Sequence, residues 1–215
     1  MKKEDILKTL EKIRKDSKKR NFIQSFDLVI NLKELNLKKE NERVDSFFSL
    51  PKSFKELRIC AFLDKHLGKF DKEIVVDEFG KYKEKDVKKL ANEFDYFVAD
   101  GKIMGKVAGA FGKVLSQKGK MPNPKAGAII TTAVDVDVLK EKLRKLVRLQ
   151  TKNELSVKCG VGLENMDNND IADNVYAVYD YLLHILPKEK QNIKMVYLKL
   201  TMSPCFEVGN GKEDN

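Results

Sequence analysis

Alternating hydrophobic and polar positions near the start of the chain predict two strands. In residues 26–33, the side chains that would share one face of an extended chain are Phe26, Leu28, Ile30 and Leu32. This period of two is typical of a strand with one buried face. Residues 43–50 are predicted to form its partner strand, and residues 3–19 have the apolar spacing of a helix.

The same kinds of pattern return near the end of the chain. Residues 155–161 and 193–202 alternate as strands do, and the second segment has Met202 on its hydrophobic face. Between them, Asp167 is a suitable N-cap for a helix that runs to about Leu186. Each end of the chain therefore supplies half-buried strands and one helix.

The middle of the chain has a different pattern. Continuous apolar runs at residues 57–63, 73–76 and 95–99 predict strands that are buried on both faces. Helical spacing is found in residues 84–94 and 135–148. Buried strands that alternate with helices indicate a Rossmann-like parallel sheet.

These patterns predict an α+β protein of two domains. Residues 1–53 and 153–215 would form a discontinuous domain, an antiparallel sheet with helices on one face. Residues 54–152 would form an inserted α/β domain with a parallel sheet. Such an insertion crosses the domain boundary twice, which permits a hinge motion.

Composition and charge narrow the class of protein. The 215 residues include 42 basic and 33 acidic side chains, a formal charge of +9 that favours polyanionic partners. The cysteines, Cys60, Cys159 and Cys205, are far apart, which is typical neither of a zinc site nor of a disulfide framework. No stretch is apolar enough to span a membrane. We therefore expect a cytoplasmic protein with no membrane partner.

A basic surface is predicted between Gly101 and Val134. This window contains no Asp or Glu and holds six of the twelve glycines. Its lysines are Lys102, Lys106, Lys113, Lys118, Lys120 and Lys125. Pro122 and Pro124 stiffen the loop after Lys118, and glycines let a backbone approach a partner closely. A loop with these properties is suited to contact with phosphates.

Motifs of enzymes are poorly represented. The glycine spacing in this window fits neither the dinucleotide-binding motif nor the P-loop, and close packing between helices is the simpler interpretation of Gly105, Ala108 and Gly109. His66 and His184 have no partner for catalysis or metal binding that the sequence reveals. We expect no catalytic residue, metal or cofactor. A nucleotide- or phosphate-metabolite-binding α/β enzyme remains the alternative.

Two short segments each have two interpretations. Phe22, close to Arg20 at the entrance of the first strand, is either a core residue or a planar side chain that faces an RNA base or sugar, with the arginine on phosphate. A proline ends the last long strand. Thr201 and Ser203 before it could instead offer hydroxyls to ribose 2′-OH groups, with Met202 packing on the sugar or base.

Together these segments resemble the family of universal large-subunit ribosomal protein one, the protein of the mobile stalk on the tRNA-exit side. The archaeal and eukaryotic branch is the most similar, and the resemblance covers nearly the whole chain. The stretches that carry it are RNFIQSFD (20–27), VLSQKGKMPNPKAG (114–127), VGLENMDNNDIADNVYAV (161–178) and YLKLTMSP (197–204). The resemblance implies the same discontinuous two-domain architecture.

The resemblance also implies which residues bind RNA. The residues that correspond to the main rRNA contact are Arg20, Phe22, Ser25, Asp27, Lys158, Gly162, Thr201, Met202 and Ser203. The residues that correspond to a secondary RNA-contact loop of the inserted domain are Lys118, Gly119, Lys120, Met121 and Lys125. This chain departs from the family at Ser203, which replaces a glycine. It also departs at Leu115–Gly119, where Lys118 replaces an arginine, and after Pro51, where hinge glycines are missing.

The function that the resemblance implies is structural RNA binding without catalysis. The protein would bind the stalk junction of large-subunit rRNA as a monomer within the ribosome. It would assist the movement and release of deacylated tRNA at the exit site. It could also repress translation by binding its own mRNA, and a repressor that works mainly off the ribosome is a third interpretation.

Overall fold

The computed structural model describes residues 1–39, 42–130 and 135–209. The chain divides into two compact units. We call Met1–Phe54 with Lys145–Asn215 the first unit, and Lys55–Arg144 the inserted unit. The predicted fold class is confirmed, because the first unit contains an antiparallel sheet with helices and the inserted unit contains a parallel sheet.

The described residues form these elements in chain order. The helices are α1 (Lys3–Asp16), α2 (Glu84–Glu93), α3 (Met104–Gln117), α4 (Val136–Lys145) and α5 (Asn168–Ile185). The strands are β1 (Ser25–Leu32), β2 (Asp45–Ser49), β3 (Ile59–Leu63), β4 (Lys72–Val75), β5 (Tyr96–Asp100), β6 (Ile129–Ile130), β7 (Leu146–Gln150), β8 (Ser156–Leu163), β9 (Ile193–Leu200) and β10 (Phe206–Glu207).

The first unit is built on an antiparallel sheet in the order β10–β9–β1–β8. Alternate residues of β1 are buried, from Phe26 to Leu32, as the sequence pattern predicts. They share a core with the buried faces of α1 and α5. Helix α5 begins where predicted, since the Asp167 carboxylate accepts a hydrogen bond from the Asn169 N–H at 3.2 Å. The helices therefore cover one face of the sheet.

One predicted strand has a different partner. The prediction that residues 43–50 pair with the first strand is wrong, because β2 pairs with β7. Strand β1 already has β8 and β9 on its two edges, so no edge is left for a third strand. The helix predicted over residues 135–148 ends at Lys145, and the chain continues directly into β7.

Both strands of the β2–β7 ladder belong to the first unit. Arg148 on β7 donates hydrogen bonds of 3.0 and 3.2 Å to the two carboxylate oxygens of Asp45 on β2. This pairing brings the chain back into the first unit at Lys145 rather than at residue 153, and Phe54, which is buried in the same core, extends the first unit on the other side.

The inserted unit is a parallel sheet in the order β4–β3–β5–β6. All residues of β3 are buried, which agrees with its continuous apolar sequence. Aromatic rings fill the core between the sheet and helix α3: the Phe62 ring centroid lies 4.7 Å from that of Phe111 and 5.8 Å from that of Phe79. The unit therefore has its own hydrophobic core.

Helix α3 contradicts one interpretation of the sequence. Gly105, Ala108 and Gly109 are exposed and do not pack against another helix. A Cβ built on either glycine would meet no atom within 4 Å. The buried face of α3 consists of Val107, Phe111, Val114 and Leu115.

Candidate nucleic-acid interface

Three chain segments meet at one end of the antiparallel sheet. Because β1 runs antiparallel to both of its neighbours, its first residues lie beside the last residues of β8 and β9. Ser25 is opposite Leu163, and Phe26 is opposite Leu200. The segments that enter or leave the sheet here are residues 19–24, 164–166 and 201–203.

Large apolar side chains are exposed at this end of the sheet. Phe22 is 52% exposed, Ile23 61% and Met202 60%. The interpretation of Phe22 as a core residue is therefore wrong. The placement of Met202 on the buried face is wrong too, because β9 ends at Leu200 and the chain then turns, with the Ser203 N–H bonded to the Leu200 carbonyl oxygen.

Phe22 and Ile23 help to line a shallow groove that also contains charged residues. Residues 19–23 line it together with Glu164 and Asn165, and its volume is about 480 Å³. Lys19 and Arg20 supply positive charge, and Glu164 supplies one negative charge. We call this surface, with Met202 beside it, the sheet-end groove.

Hydroxyl groups next to the groove are held in place by hydrogen bonds. Ser25 N donates to Thr201 Oγ1 at 3.1 Å, and Thr201 N donates to the Ser25 carbonyl oxygen at 3.1 Å. The two hydroxyl oxygens are 3.1 Å apart, and the Ser25 hydroxyl donates to Asp27 Oδ1 at 3.4 Å. This cluster combines donors with a carboxylate acceptor, which suits a ribose hydroxyl or a base amine.

Ser203 does not present its hydroxyl to the groove. Its Oγ accepts a hydrogen bond from Leu200 N at 2.8 Å and donates to the Pro204 carbonyl oxygen at 2.9 Å. The side chain therefore closes the turn that carries Met202. A glycine at this position would leave the same turn without these bonds.

The two predicted residues of β8 lie in different environments. Lys158 is exposed, with its Nζ 2.8 Å from a Glu154 oxygen, and it pairs with Val29 some distance along the sheet from the groove. Gly162 is buried, and a Cβ built on it would lie 2.8 Å from Cγ1 of Ile171 on α5. Gly162 thus allows close approach between β8 and α5, a packing reason for glycine at this position.

Sequence reasoning missed Gln24 and Arg14, whose side chains form hydrogen bonds to the segments that surround the groove. Gln24 is 1% exposed, and its Oε1 accepts a hydrogen bond from Met202 N at 3.1 Å. Arg14 on α1 donates to the carbonyl oxygens of Glu164 and Met166. No local pattern could have revealed these contacts, because they join segments that are far apart in the sequence.

The predicted secondary loop lies in the inserted unit, and two of its lysines contact the end of α2. Lys118 Nζ donates to the Asn92 side chain, and Lys120 Nζ donates to the Phe94 carbonyl oxygen at 2.8 Å. Helix α2 has no basic residue in its own last turn, so these cations complement its C-terminal dipole.

The rest of this loop has a defined shape. Gly119 has a φ of +65°, a left-handed conformation that favours glycine. Met121 packs against the core, and Lys125 is exposed at a turn where its N–H donates to the Asn123 side chain. Residues 131–134 of the acid-free window lie outside the described residues.

Neither histidine belongs to a catalytic arrangement in the described part of the chain. His66 Nδ1 is 3.4 Å from the Glu73 carboxylate, and His184 pairs with Asp180 on the surface of α5. Burial would raise the pKa of Glu73, but hydrogen bonds from four backbone N–H groups, of Leu67 through Phe70, outweigh it and hold that pKa at about 2.

Cys60 lies in the core of the inserted unit. Burial raises the pKa of the Cys60 thiol to about 12, so this cysteine is not a nucleophile. Residues 1–39, 42–130 and 135–209 contain no group of His, Cys, Asp and Glu that could hold a metal ion. Over the same ranges, no helix is both long and apolar enough to cross a membrane.

The chain is similar in sequence to a family of ribosomal proteins. The chain matches the model of the Ribosomal protein L1p/L10e family over residues 13–204, and it belongs to that family. The resemblance inferred from its motifs is therefore confirmed, and because the family is one of ribosomal proteins, the prediction that the chain is not an enzyme is confirmed with it.

Archaeal relatives match along nearly their whole length. The protein named large ribosomal subunit protein uL1 from Methanothermobacter thermautotrophicus is 32% identical over 95% of this chain and 99% of its own. Its namesake from Nanoarchaeum equitans is 34% identical over 90% and 95%. That from Methanothermococcus thermolithotrophicus is 34% identical over 97% and 99%. This agrees with the archaeal type that the motifs indicate.

Proposed function

We propose that the protein is a structural component of the large ribosomal subunit that binds rRNA through the sheet-end groove. The observation that carries this proposal is the exposure of Phe22, Ile23 and Met202 beside Lys19 and Arg20. A contiguous apolar surface next to positive charge is typical of a covered interface. Unstacked RNA bases have flat apolar faces, and each base stacked on an aromatic side chain contributes about 1–3 kcal/mol.

The groove offers the other contacts that folded RNA requires. Arg20 can donate two parallel hydrogen bonds to a phosphate, and Lys19 adds charge. The hydroxyls of Ser25 and Thr201 can exchange hydrogen bonds with 2′-OH groups, the feature that distinguishes RNA from DNA. Because bonds within the protein already fix this pair, little entropy of ordering opposes binding. The combination suits a folded junction with unstacked bases.

We also propose finer roles, which rest on the family. The rRNA would be the stalk junction, and the Lys118–Lys125 loop would add secondary RNA contacts. There the protein would assist the movement and release of deacylated tRNA at the exit site. It would also repress its own synthesis by binding its mRNA at the same groove. The exposed Lys125 and the exposed Lys106 on α3 support an RNA partner for the inserted unit.

Substitutions in the groove test the central proposal. Phe22→Ala should weaken binding to the stalk-junction fragment of rRNA by about 1–3 kcal/mol, the loss of one stacking contact, and Met202→Ala should weaken it by a similar or smaller amount, the loss of one apolar contact. Both side chains are more than half exposed, so the melting temperature should change little. Leu67→Ala, at 51% exposure in the inserted unit, is the matched control and should bind normally. Unchanged affinity in both groove variants would exclude the groove as the rRNA site.

Competition separates the finer roles. A fragment of the protein's own mRNA should displace the rRNA fragment from the protein, and Met202→Ala should weaken both complexes alike. An mRNA fragment that binds together with rRNA would contradict a shared site. For tRNA, crosslinks from the Lys118–Lys125 loop to exit-site tRNA are expected, and their absence in assembled ribosomes would contradict that role.

A further inference from the structure

The sheet-end groove is supported by a side chain that RNA cannot reach. Gln24 is almost fully buried, and its side-chain oxygen accepts the Met202 N–H at 3.1 Å. The Gln24 backbone also exchanges two hydrogen bonds with Glu164: Gln24 N donates to Oε2 at 3.3 Å, and Glu164 N donates to the Gln24 carbonyl oxygen at 2.8 Å. One residue therefore joins all three segments that form the groove.

Arg14 extends this connection into helix α1. Its guanidinium donates to the Glu164 carbonyl oxygen at 2.5 Å, to the Met166 carbonyl oxygen at 2.6 Å and to Asn168 Oδ1 at 2.7 Å. It also lies 5.4 Å from the centroid of the Phe26 ring. Because the planar guanidinium group bonds to three acceptors in residues 164–168, it fixes the position of this turn. The turn thereby fixes Glu164, the partner of Gln24.

We propose that Gln24 and Arg14 are positioning residues of the RNA site, acting through a relay from α1 by way of residues 164–168 to Met202. The inference rests on the proposed function, because it concerns the same groove. Its physical basis is the bond from Met202 N to Gln24, which holds the Met202 backbone itself, whereas the bonds of Thr201 and Ser203 hold the residues on either side. Without that acceptor, Met202 would have to be ordered when RNA binds, and ordering one residue costs about tenfold in affinity.

Gln24→Met is the variant that tests the relay. Methionine keeps the length and volume of glutamine but has no oxygen to accept the Met202 N–H. We expect affinity for the stalk-junction fragment to fall about tenfold. The slope of affinity against salt should not change, since no phosphate contact is lost. Hydrogen exchange at the Met202 amide of the free protein should become faster, a readout that general destabilisation would not confine to this amide.

A second buried amide supplies the matched control. Asn192 is fully buried, accepts Lys188 N at 2.7 Å and donates to the Lys33 carbonyl oxygen at 3.0 Å. It lies just before β9, at the end of the strand opposite to Thr201. Asn192→Leu should lower the melting temperature and leave the RNA affinity of the folded protein unchanged. If both variants weaken RNA binding equally, the effect is general and the relay is refuted.

Arg14→Lys tests the other end of the relay. Lysine keeps the charge but cannot hold three acceptors, so affinity should fall while the salt slope stays the same. Unchanged affinity in Arg14→Lys would refute the positioning role. Arg14→Met removes the charge and should also leave the slope unchanged; a slope reduced by about 0.7–0.9 in that variant would mean that Arg14 contacts a phosphate directly, and the positioning role would be wrong.

Binding by the wild-type protein distinguishes failure of the proposed function from failure of the relay alone. If the wild-type protein does not prefer the stalk fragment over a scrambled RNA, the proposed function fails and the relay fails with it. If the wild-type protein binds selectively and Gln24→Met binds equally well, the proposed function stands and the relay alone is refuted.

Discussion

Replacing Gly162 with alanine separates a packing role from an RNA contact. The family resemblance implies that Gly162 belongs to the rRNA contact, whereas in the fold this residue of β8 is buried against α5. An added Cβ would lie 2.8 Å from Ile171 Cγ1 and 3.4 Å from its Cδ1, and the first distance is too short for two carbon atoms. Ile171 is fully buried and β-branched on a helix, so its side chain has little freedom to move away.

The cost follows from this crowding. Overpacking by one methyl group in a close-packed core destabilises by about 1–3 kcal/mol. Alanine also restricts the unfolded chain, which returns about 0.4–1 kcal/mol. We therefore expect Gly162→Ala to lower the free energy of unfolding of the first unit by about 1–2 kcal/mol. The affinity of the folded protein for RNA should stay the same.

Gly160→Ala is the matched control on the same strand. Its added Cβ would lie 3.3 Å from Cζ of Phe54, the tip of a ring that can shift slightly, so the change should be nearly neutral. Hydrogen exchange of β8 amides measures the stability of the first unit separately from the inserted unit. Adding Ile171→Ala removes the crowding atom, so the two changes together should cost less than their sum. A Gly162→Ala protein that is as stable as wild type but binds RNA tenfold more weakly would refute the packing argument.

Three further predictions concern the inserted unit. The pKa of Glu73 in the folded protein is about 2, below its ordinary value of 4.5. The ionised Glu73 side chain therefore stabilises the inserted unit fully above pH 4.5, and this stabilisation is lost as the pH falls from 4.5 toward 2. In Glu73→Gln, the free energy of unfolding should therefore depend less on pH between these two values, by an amount on the order of 3 kcal/mol across the range. An acid-unfolding curve identical to that of the wild type would contradict this account. Lys118→Ala with Lys120→Ala should lower the stability of the unit by about 1 kcal/mol in thermal unfolding and slightly reduce the salt slope of RNA binding, without changing sequence preference. Iodoacetamide at pH 8 should label the exposed Cys205 and leave Cys60 unlabelled until the protein unfolds, and rapid labelling of Cys60 would disprove its buried, protonated state.

Local signals in the sequence were sufficient for much of the fold. The period of two in β1 is confirmed residue by residue, because burial on one face of a sheet requires that spacing. The start of α5 follows from Asp167, whose side chain bonds to the first turn of the helix. The buried run in β3 likewise predicts a strand covered on both faces.

Features that depend on distant contacts could not be predicted in this way. Leu146 continues the helical spacing of α4, but pairing with β2 makes it the first residue of a strand. Phenylalanine is a residue type that is usually buried, but Phe22 is exposed because of where three separate segments of the chain meet. Gln24 is an ordinary polar residue in the sequence and becomes buried because Met202 and Glu164 come to it from far along the chain.

The central claim is that the sheet-end groove binds rRNA selectively. The measurement that tests it most directly is binding of the purified protein to the stalk-junction fragment of large-subunit rRNA and to a scrambled RNA of equal length, across a range of salt. We predict tight binding to the stalk fragment that persists at about 0.2 M salt and is weakened by Phe22→Ala and Met202→Ala. Equal binding to both RNAs that disappears at this salt concentration, with no effect of either substitution, would contradict the account.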